Sequence, residues 1–442
     1  MKPPRKRTRS PLPPAPLELA HPLSVERGEI GGAIFVSELP REYALPLWRT
    51  YRLVLSLARV PGVVHSLNQA ELAVWEQHVL EQVGTWDAEV WSGVAAIATA
   101  ARVPAGVDVE WIAFTCTALV DWCVEHGAPG TAVSLAEAAA LVAPANPRYA
   151  YLAGRMYRGR GNHRDAEHWL ERSRRVAVWN ADREAQSIAL NSLGNLYQQL
   201  GRYPRAEELL LSALRTARRA RITERIPFIY HDLLVVAVYT GNLAKAAECA
   251  REALQGYPPG HPNVPKLAHD IAWLWFQHGH YAQALRVFDA LLMYFTDSEP
   301  RLHVLGYAAR AAGATGDAEG FSRYWEGAWR IMDGDVDPRL RAAAALELGY
   351  GALDQARRDD AERALTVAVE SATVGGDNET VVKASLALER LGRGEQVERA
   401  VPPGSGRLAR GEDLLAGELA TVLVSNAGKA SMRVEECGSN AA

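Results

Sequence analysis

Apolar residues in the middle of this chain recur at spacings of three and four, the period of a helix that buries one stripe. The pattern is plainest around Gly201. Leu190, Leu193 and Tyr197 stand eleven, eight and four residues before it, and Ala206, Leu210 and Ala213 stand five, nine and twelve after it. Two such stripes predict two helices joined by a tight turn at the glycine. Polar residues fill the positions between, so each helix has one face to bury and one to solvate.

The same unit recurs along the chain. Turn positions at Gly127, Gly161, Gly201, Gly241, Gly279, Gly316 and Ala356 are separated by 34, 40, 40, 38, 37 and 40 residues. Five residues after each stands an alanine, replaced once by Phe321. Eight before come Leu119, Ala153, Leu193, Leu233, Ile271, Ala308 and Leu348. A glycine inside a helix costs about 1 kcal/mol against alanine, so Gly194, seven before its turn, needs a reason. Small residues at the same offset (Gly154, Ala272, Ala309, Gly349) predict a close approach of the second helix through its alanine. Gly201 reads as a helix stop. The units longer than 34 residues are expected to extend their second helices.

This pattern resembles the tetratricopeptide repeat over residues 110–372, most closely at 187–220 through Leu193, Gly194, Tyr197, Gly201, Tyr203, Ala206, Leu210 and Ala213. Pro144 and Pro258 fall where that family closes a unit; Phe321 and Leu234 depart from its small residues. The resemblance implies an all-α fold, a right-handed α-solenoid of about seven helix-turn-helix repeats with an N-terminal helical cap.

The flanks are less regular. Residues 1–40, with the basic and Pro-rich start MKPPRKRTRSPLPPAP, are expected to be mostly disordered. A short strand is marginal at Gly32–Ser37. Residues 41–110 carry amphipathic helices at 41–59, 68–83 and 86–102, as a cap or degenerate repeats. The solenoid is expected over 111–395, closed by a helix at Thr380–Leu391. The segment 396–442, opening on Gly- and Pro-rich sequence, is expected to be a flexible tail.

Composition adds exclusions. With 48 basic and 52 acidic residues the net charge is −4, so no global attraction to polyanions exists. No long uncharged apolar run predicts a transmembrane helix, and prolines stand where a signal peptide would carry its apolar segment. Four cysteines form no disulfide framework, which points to a reducing cytoplasm. Six lysines against 42 arginines suggest a GC-rich bacterial coding bias.

No catalytic motif stands out, so the chain is read as a non-enzyme without metal or cofactor. Cys116, Cys123 and His126 share one helix, but both cysteines fall in the buried stripe. The pairs His231-Asp232 and His269-Asp270 sit at one offset, so the repeat accounts for their coincidence. Residues 148–225 hold sixteen arginines and eight acids, ending in Arg215-Thr-Ala-Arg-Arg-Ala-Arg221. That run reads first as a solvated face and second as a contact for an acidic partner.

First helices of such a solenoid line its concave face. Offsets of minus thirteen, ten, six and three lie opposite the buried stripe, and are expected to face the groove. They place Phe114, Thr117, Asp121 and Val124 in the first unit, and Arg148, Tyr151, Arg155 and Arg158 in the second. The third shows Ile188, Asn191, Asn195 and Gln198; the fourth Phe228, His231, Val235 and Val238. The fifth shows Lys266, His269, Trp273 and Phe276. The sixth and seventh include His303, Gly306, Arg310, Gly313, Leu346 and Tyr350. Amides suit a peptide backbone, arginines a carboxylate, and Trp273 with Phe276 an apolar anchor. Asparagines in the groove are similar to those of the family's carboxylate-clamp adaptors and peptide-sensing regulators, though Arg148 and Arg155 stand in place of clamp lysines. The expected function is a scaffold or adaptor binding a protein or extended peptide, with an acidic or C-terminal carboxylate group. The alternative is a peptide-sensing regulator whose N-terminal helices act on nucleic acid or a partner protein. No helix-turn-helix precedes the repeats, which disfavours nucleic acid; no membrane partner is expected, and no oligomeric state is indicated.

Overall fold

The computed structural model describes residues 12–13, 33–58, 69–82, 87–102, 106–395 and 410–439. Among them the regular structure is helical throughout. Helix α1 spans Ala33–Glu38, α2 Arg41–Leu57, α3 Gln69–Gln82, α4 Ala88–Arg102, α5 Val109–Glu125 and α6 Pro129–Val142. Then come α7 Pro147–Gly159, α8 His163–Asn180, α9 Arg183–Gln199 and α10 Tyr203–Ala220. These belong to a first compact unit, residues 1–225. The second unit begins at residue 226. It holds α11 Ile226–Tyr239, α12 Leu243–Gly256, α13 Val264–Gln277, α14 Tyr281–Tyr294 and α15 Ser298–Thr315. It continues with α16 Ala318–Met332, α17 Pro338–Asp354, α18 Arg358–Gly375, α19 Asn378–Gly392 and α20 Arg410–Ser439.

The seven turns close as the sequence requires. At Gly201 φ is +68°, the left-handed conformation that glycine adopts without strain. The Gly201 N–H donates to the Gln198 carbonyl at 2.9 Å and the Arg202 N–H to the Tyr197 carbonyl at 2.9 Å. This pair of bonds satisfies two carbonyls that the ending helix leaves over. Ala356 makes the same turn at φ +57° despite its Cβ. Starts are set by side chains: Asp182 accepts from the Ala185 N–H and Asn146 from the Arg148 N–H.

Packing within each pair follows the two stripes. Every residue at minus eleven, minus eight and minus four is buried except Tyr197, and every residue at plus five, nine and twelve is buried. Tyr197 keeps its ring against the pair and sends its hydroxyl to Glu167 at 2.6 Å. The glycine at minus seven meets chiefly a leucine, although at Gly194 the carbonyl of the expected Ala206 would also stand 3.3 Å from a Cβ. A Cβ on Gly154, Gly194 or Gly349 would stand 2.7 Å from Leu170, Leu210 or Leu365, the leucine nine after the turn. The missing side chain makes room for that leucine. Second-helix length follows the spacing in the first unit only, since α12 and α14 are 14 residues long before steps of 38 and 37. In the first unit it is 14 residues in α6, followed by the 34-residue step, and 18 in α8 and α10.

The strand expected at 32–37 is corrected, and described residues in two other flanking segments take part in the structure. Ala33–Glu38 is helical rather than a strand. It is fixed by Glu38, whose carboxylate accepts from the Gly130 and Thr131 N–H groups at 2.8 and 2.7 Å and so caps α6. Of the segment expected to be disordered, Leu12 and Pro13 are described, and the Pro13 carbonyl accepts from the buried Arg172 guanidinium; the rest of 1–32 lies outside the described residues. The C-terminal segment expected to be a flexible tail carries α20, whose Leu415, Ala416, Leu419 and Leu423 are fully buried. Residues 396–409 lie outside the description. Helices at 41–57, 69–82 and 88–102 agree with the reading of the N-terminal region, and α19 with the helix expected at 380–391.

Candidate functional site: the inner faces of the first helices

In the first unit the groove offsets fall on α5, α7 and α9. Phe114 is 67% exposed, an unusual state for a phenylalanine on an ordered helix. Arg148 and Arg155 are exposed and Tyr151 and Arg158 half-buried along one face of α7. Among the described residues no carboxylate comes within ion-pair distance of Arg148 or Arg155. On α9, Asn195 and Gln198 are half-buried, while Asn191 is only 7% exposed and faces inward.

In the second unit the expected residues meet partners that the offsets did not include. His231 Nε2 lies 3.1 Å from Asp270 Oδ2, and its Nδ1 lies 3.3 Å from the Tyr257 hydroxyl. Burial pushes the Asp270 carboxyl up, but hydrogen bonds from His231 and His269 outweigh it and hold it below its ordinary range. Trp273 approaches the Tyr307 hydroxyl, which burial pushes up to about 12. Arg310 pairs with Glu347 at 2.7 Å and lies between the Phe276 and Tyr350 rings, 5.1 and 4.9 Å from their centroids. The His303 ring lies tilted against His269 with centroids 5.5 Å apart, and burial with the His269 charge pushes its pKa down to about 4.

These contacts share one rule. Asp270, Tyr307 and Glu347 all stand nine residues before their turns and meet a residue ten or six before the preceding turn. On a helix that offset lies about 80° from the centre of the groove arc, toward the preceding unit. The three residues were legible as a set in the repeat alignment, since a polar or ionisable side chain recurs there in consecutive units. His231 thus bonds Asp270 of the next unit rather than the adjoining Asp232.

The groove arc was also drawn too wide on its other side. Phe276, expected as an exposed anchor, is 2% exposed and packs on Tyr307 with centroids 5.0 Å apart. Val238 and Asn191 are buried for the same reason: offsets minus three and minus ten turn toward the next first helix. Gly306 and Gly313 show the extreme. A Cβ on Gly313 would meet the Gly351 carbonyl at 2.5 Å, so α15 and α17 touch backbone to backbone. What stays open in the second unit is exposed Lys266 and half-buried His231, His269, Trp273 and Tyr350.

Other candidate chemistry resolves into structure. Cys116 and Cys123 are buried in the stripe, and burial pushes both thiols up to about 12, which leaves them unreactive. His126 stacks on Trp122 at 4.1 Å and bonds its carbonyl at 2.8 Å. No group of three or more metal-ligating side chains converges among the described residues, and none of their helices is long and apolar enough to cross a membrane. Arg215 and Arg219 line a 470 Å³ cleft with Arg183 on the outer side of α9 and α10.

Residues 146–219 and 185–258 match the family described as tetratricopeptide repeat. No curated protein matches the chain. Among solved structures, the quorum sensor NprR from B. thuringiensis is 12% identical with a TM-score of 0.46, covering 73% of this chain and 99% of that one. PilF of Pseudomonas aeruginosa is 16% identical with a TM-score of 0.41, covering 51% and 95%. A signal transduction ATPase with a tetratricopeptide repeat sensor from Pyrococcus horikoshii is 12% identical with a TM-score of 0.47, covering 95% and 69%. The family match over 146–258 falls on helix pairs closed by left-handed glycine turns, so this part of the chain consists of tetratricopeptide repeats.

Proposed function

We propose that the protein is a non-catalytic scaffold that binds a protein or extended peptide on the inner faces of its first helices. The observation that carries this reading is in the first unit. Arg148 and Arg155 stand exposed on one face of α7 with no carboxylate of the described residues in ion-pair distance, on the same face as half-buried Tyr151, while Phe114 is exposed at an equivalent offset on α5. Exposed guanidinium groups are suited to bidentate capture of a carboxylate, and an exposed aromatic ring on another first helix of the same unit to an apolar side chain. In the second unit, Lys266, His269 and Trp273 supply a further surface, whereas Arg310 is spent on Glu347 and is excluded from the contact set. The ligand is therefore an apolar segment bearing acidic residues or a free C-terminus.

The test uses labelled peptide pools of identical composition with free or amidated C-termini, passed over immobilised protein. Retention of a carboxylate-bearing pool, reduced at least tenfold by Arg148→Glu with Arg155→Glu, is the expected result. Equal retention by wild type and the double variant, or none by either, refutes the inner face as the working surface.

A further inference from the structure

Helix α20 does something that an end cap does not. A cap would cover the last repeat helix, yet α19 leaves Val382 and Leu386 57% and 52% exposed, one turn apart on the same face. Instead α20 returns to the middle of the unit and packs chiefly on α14, with lesser contacts to α12 and α13. It occupies a crevice on the second-helix side, away from the residues of the proposed peptide surface.

The seat is specific in form. Leu415, Leu419 and Leu423 recur every four residues and, with Ala416, are fully buried. Leu414 and Val424 remain 64% and 44% exposed, so the helix offers one narrow stripe to the crevice. Its N-terminal end is read by polar side chains. Gln283 of α14 donates to Asp413 at 3.2 Å, Arg286 lies 4.0 Å from the same carboxylate, and Arg251 of α12 donates to the Gly411 carbonyl at 3.2 Å. Gly417 lies beneath Arg286, whose guanidinium would be in ordinary contact, 3.7 Å, with an added Cβ. An amphipathic helix laid in a groove, with anchors at i, i+4 and i+8 and a carboxylate at one end, is a recurrent mode of partner recognition.

We propose that the crevice formed by α12 and α14 is a docking site for an amphipathic helix of a partner protein, and that α20 holds it shut. The partner helix carries three large aliphatic side chains spaced by four, a small residue after the first, and a carboxylate two residues before it. Binding then requires α20 to leave, so the tail sets the threshold for the second partner. This site is independent of the inner-face reading, because it uses the opposite side of the helix pairs.

Two measurements on the full chain decide the matter. In wild type, amide exchange over 411–426 should run at least a hundredfold faster than over α13 and α14, as an openable element requires. Protection equal to that of α13 would make α20 a fixed part of the core and overturn the proposal. The second uses a fluorescent peptide with the sequence of residues 410–426 and the double variant Leu419→Asp with Leu423→Asp. The variant should bind this probe at least tenfold more tightly than wild type, and a probe carrying the same two aspartates should not bind. A variant that keeps its helical signal but fails to bind, or that loses helix content beyond α20 itself, overturns the proposal.

Discussion

Gly194 and Gly313 look alike in the sequence, each a glycine inside a first helix, yet a methyl group at the two positions meets different things. At Gly194 it meets the buried Leu210 side chain at 2.7 Å, which must repack by a few tenths of an ångström; at Gly313 it meets the Gly351 backbone at 2.5 Å, which has no rotamer to change. Replacing either by alanine gains about 1 kcal/mol of helix propensity, against an overpacking cost of roughly 1–3 kcal/mol. Gly194→Ala is expected to leave stability within about 1 kcal/mol of wild type, and Gly313→Ala to lose about 2 kcal/mol, read by denaturant unfolding. His303 makes a second residue-scale prediction. Its folded ring is pushed down to about 4 from an ordinary value near 6.5. Below about pH 6.5 the unfolded chain therefore takes up a proton that the folded chain refuses, and stability falls as pH falls toward 4. His303→Phe should lack this slope, so wild type should lose roughly 2 kcal/mol more than the variant between pH 7 and 5. Parallel pH slopes in the two proteins would refute the assignment.

Between elements, neighbouring first helices of the second unit are tied by side chains at a fixed offset. Arg310 and Glu347 are 20% and 16% exposed at the side chain, so their charges are largely withdrawn from water. Removing one partner strands the other. Glu347→Ala is expected to cost about 3 kcal/mol, and the pair Arg310→Met with Glu347→Met to recover most of it, since a hydrophobic replacement removes both desolvated charges. A double variant as unstable as the single one would show that the pair does more than neutralise itself. This tier also marks how far the sequence could be read. The buried stripes were legible because each repeats in every unit with the helical period, and a residue displaced from them would leave a void or a buried charge. The flanks of the helix were not, because burial at minus three and minus ten depends on the crossing of two first helices. Phe276 and Asn191 were misjudged for that reason. Asp270, Tyr307 and Glu347 were missed because no single unit shows that offset to be special.

At the scale of the whole molecule, the repeat core was the readable part and its attachments were not. Helix α1 is six residues long and is held by Glu38 at the start of α6, 92 residues away in sequence. No local pattern encodes such a cap, since an isolated helix of that length is unstable in water. Helix α20 was hidden similarly. Its few buried leucines earn their order only against α14, and the Gly- and Pro-rich stretch before it drew the reading toward disorder. Each of the two compact units carries its own buried stripes. The inner-face residues behave differently in each: exposed arginines in the first, a bonded ladder in the second.

That ladder has a consequence for evolvability. His231 and Trp273 lie on the proposed inner surface of the second unit while also contacting the next first helix, so a substitution that altered binding there, as proposed, would also loosen the scaffold. Among the described residues the Arg148 and Arg155 side chains tie no neighbouring helix in this way. New specificities can therefore accumulate on the first unit one substitution at a time, while the second must change in coordinated pairs.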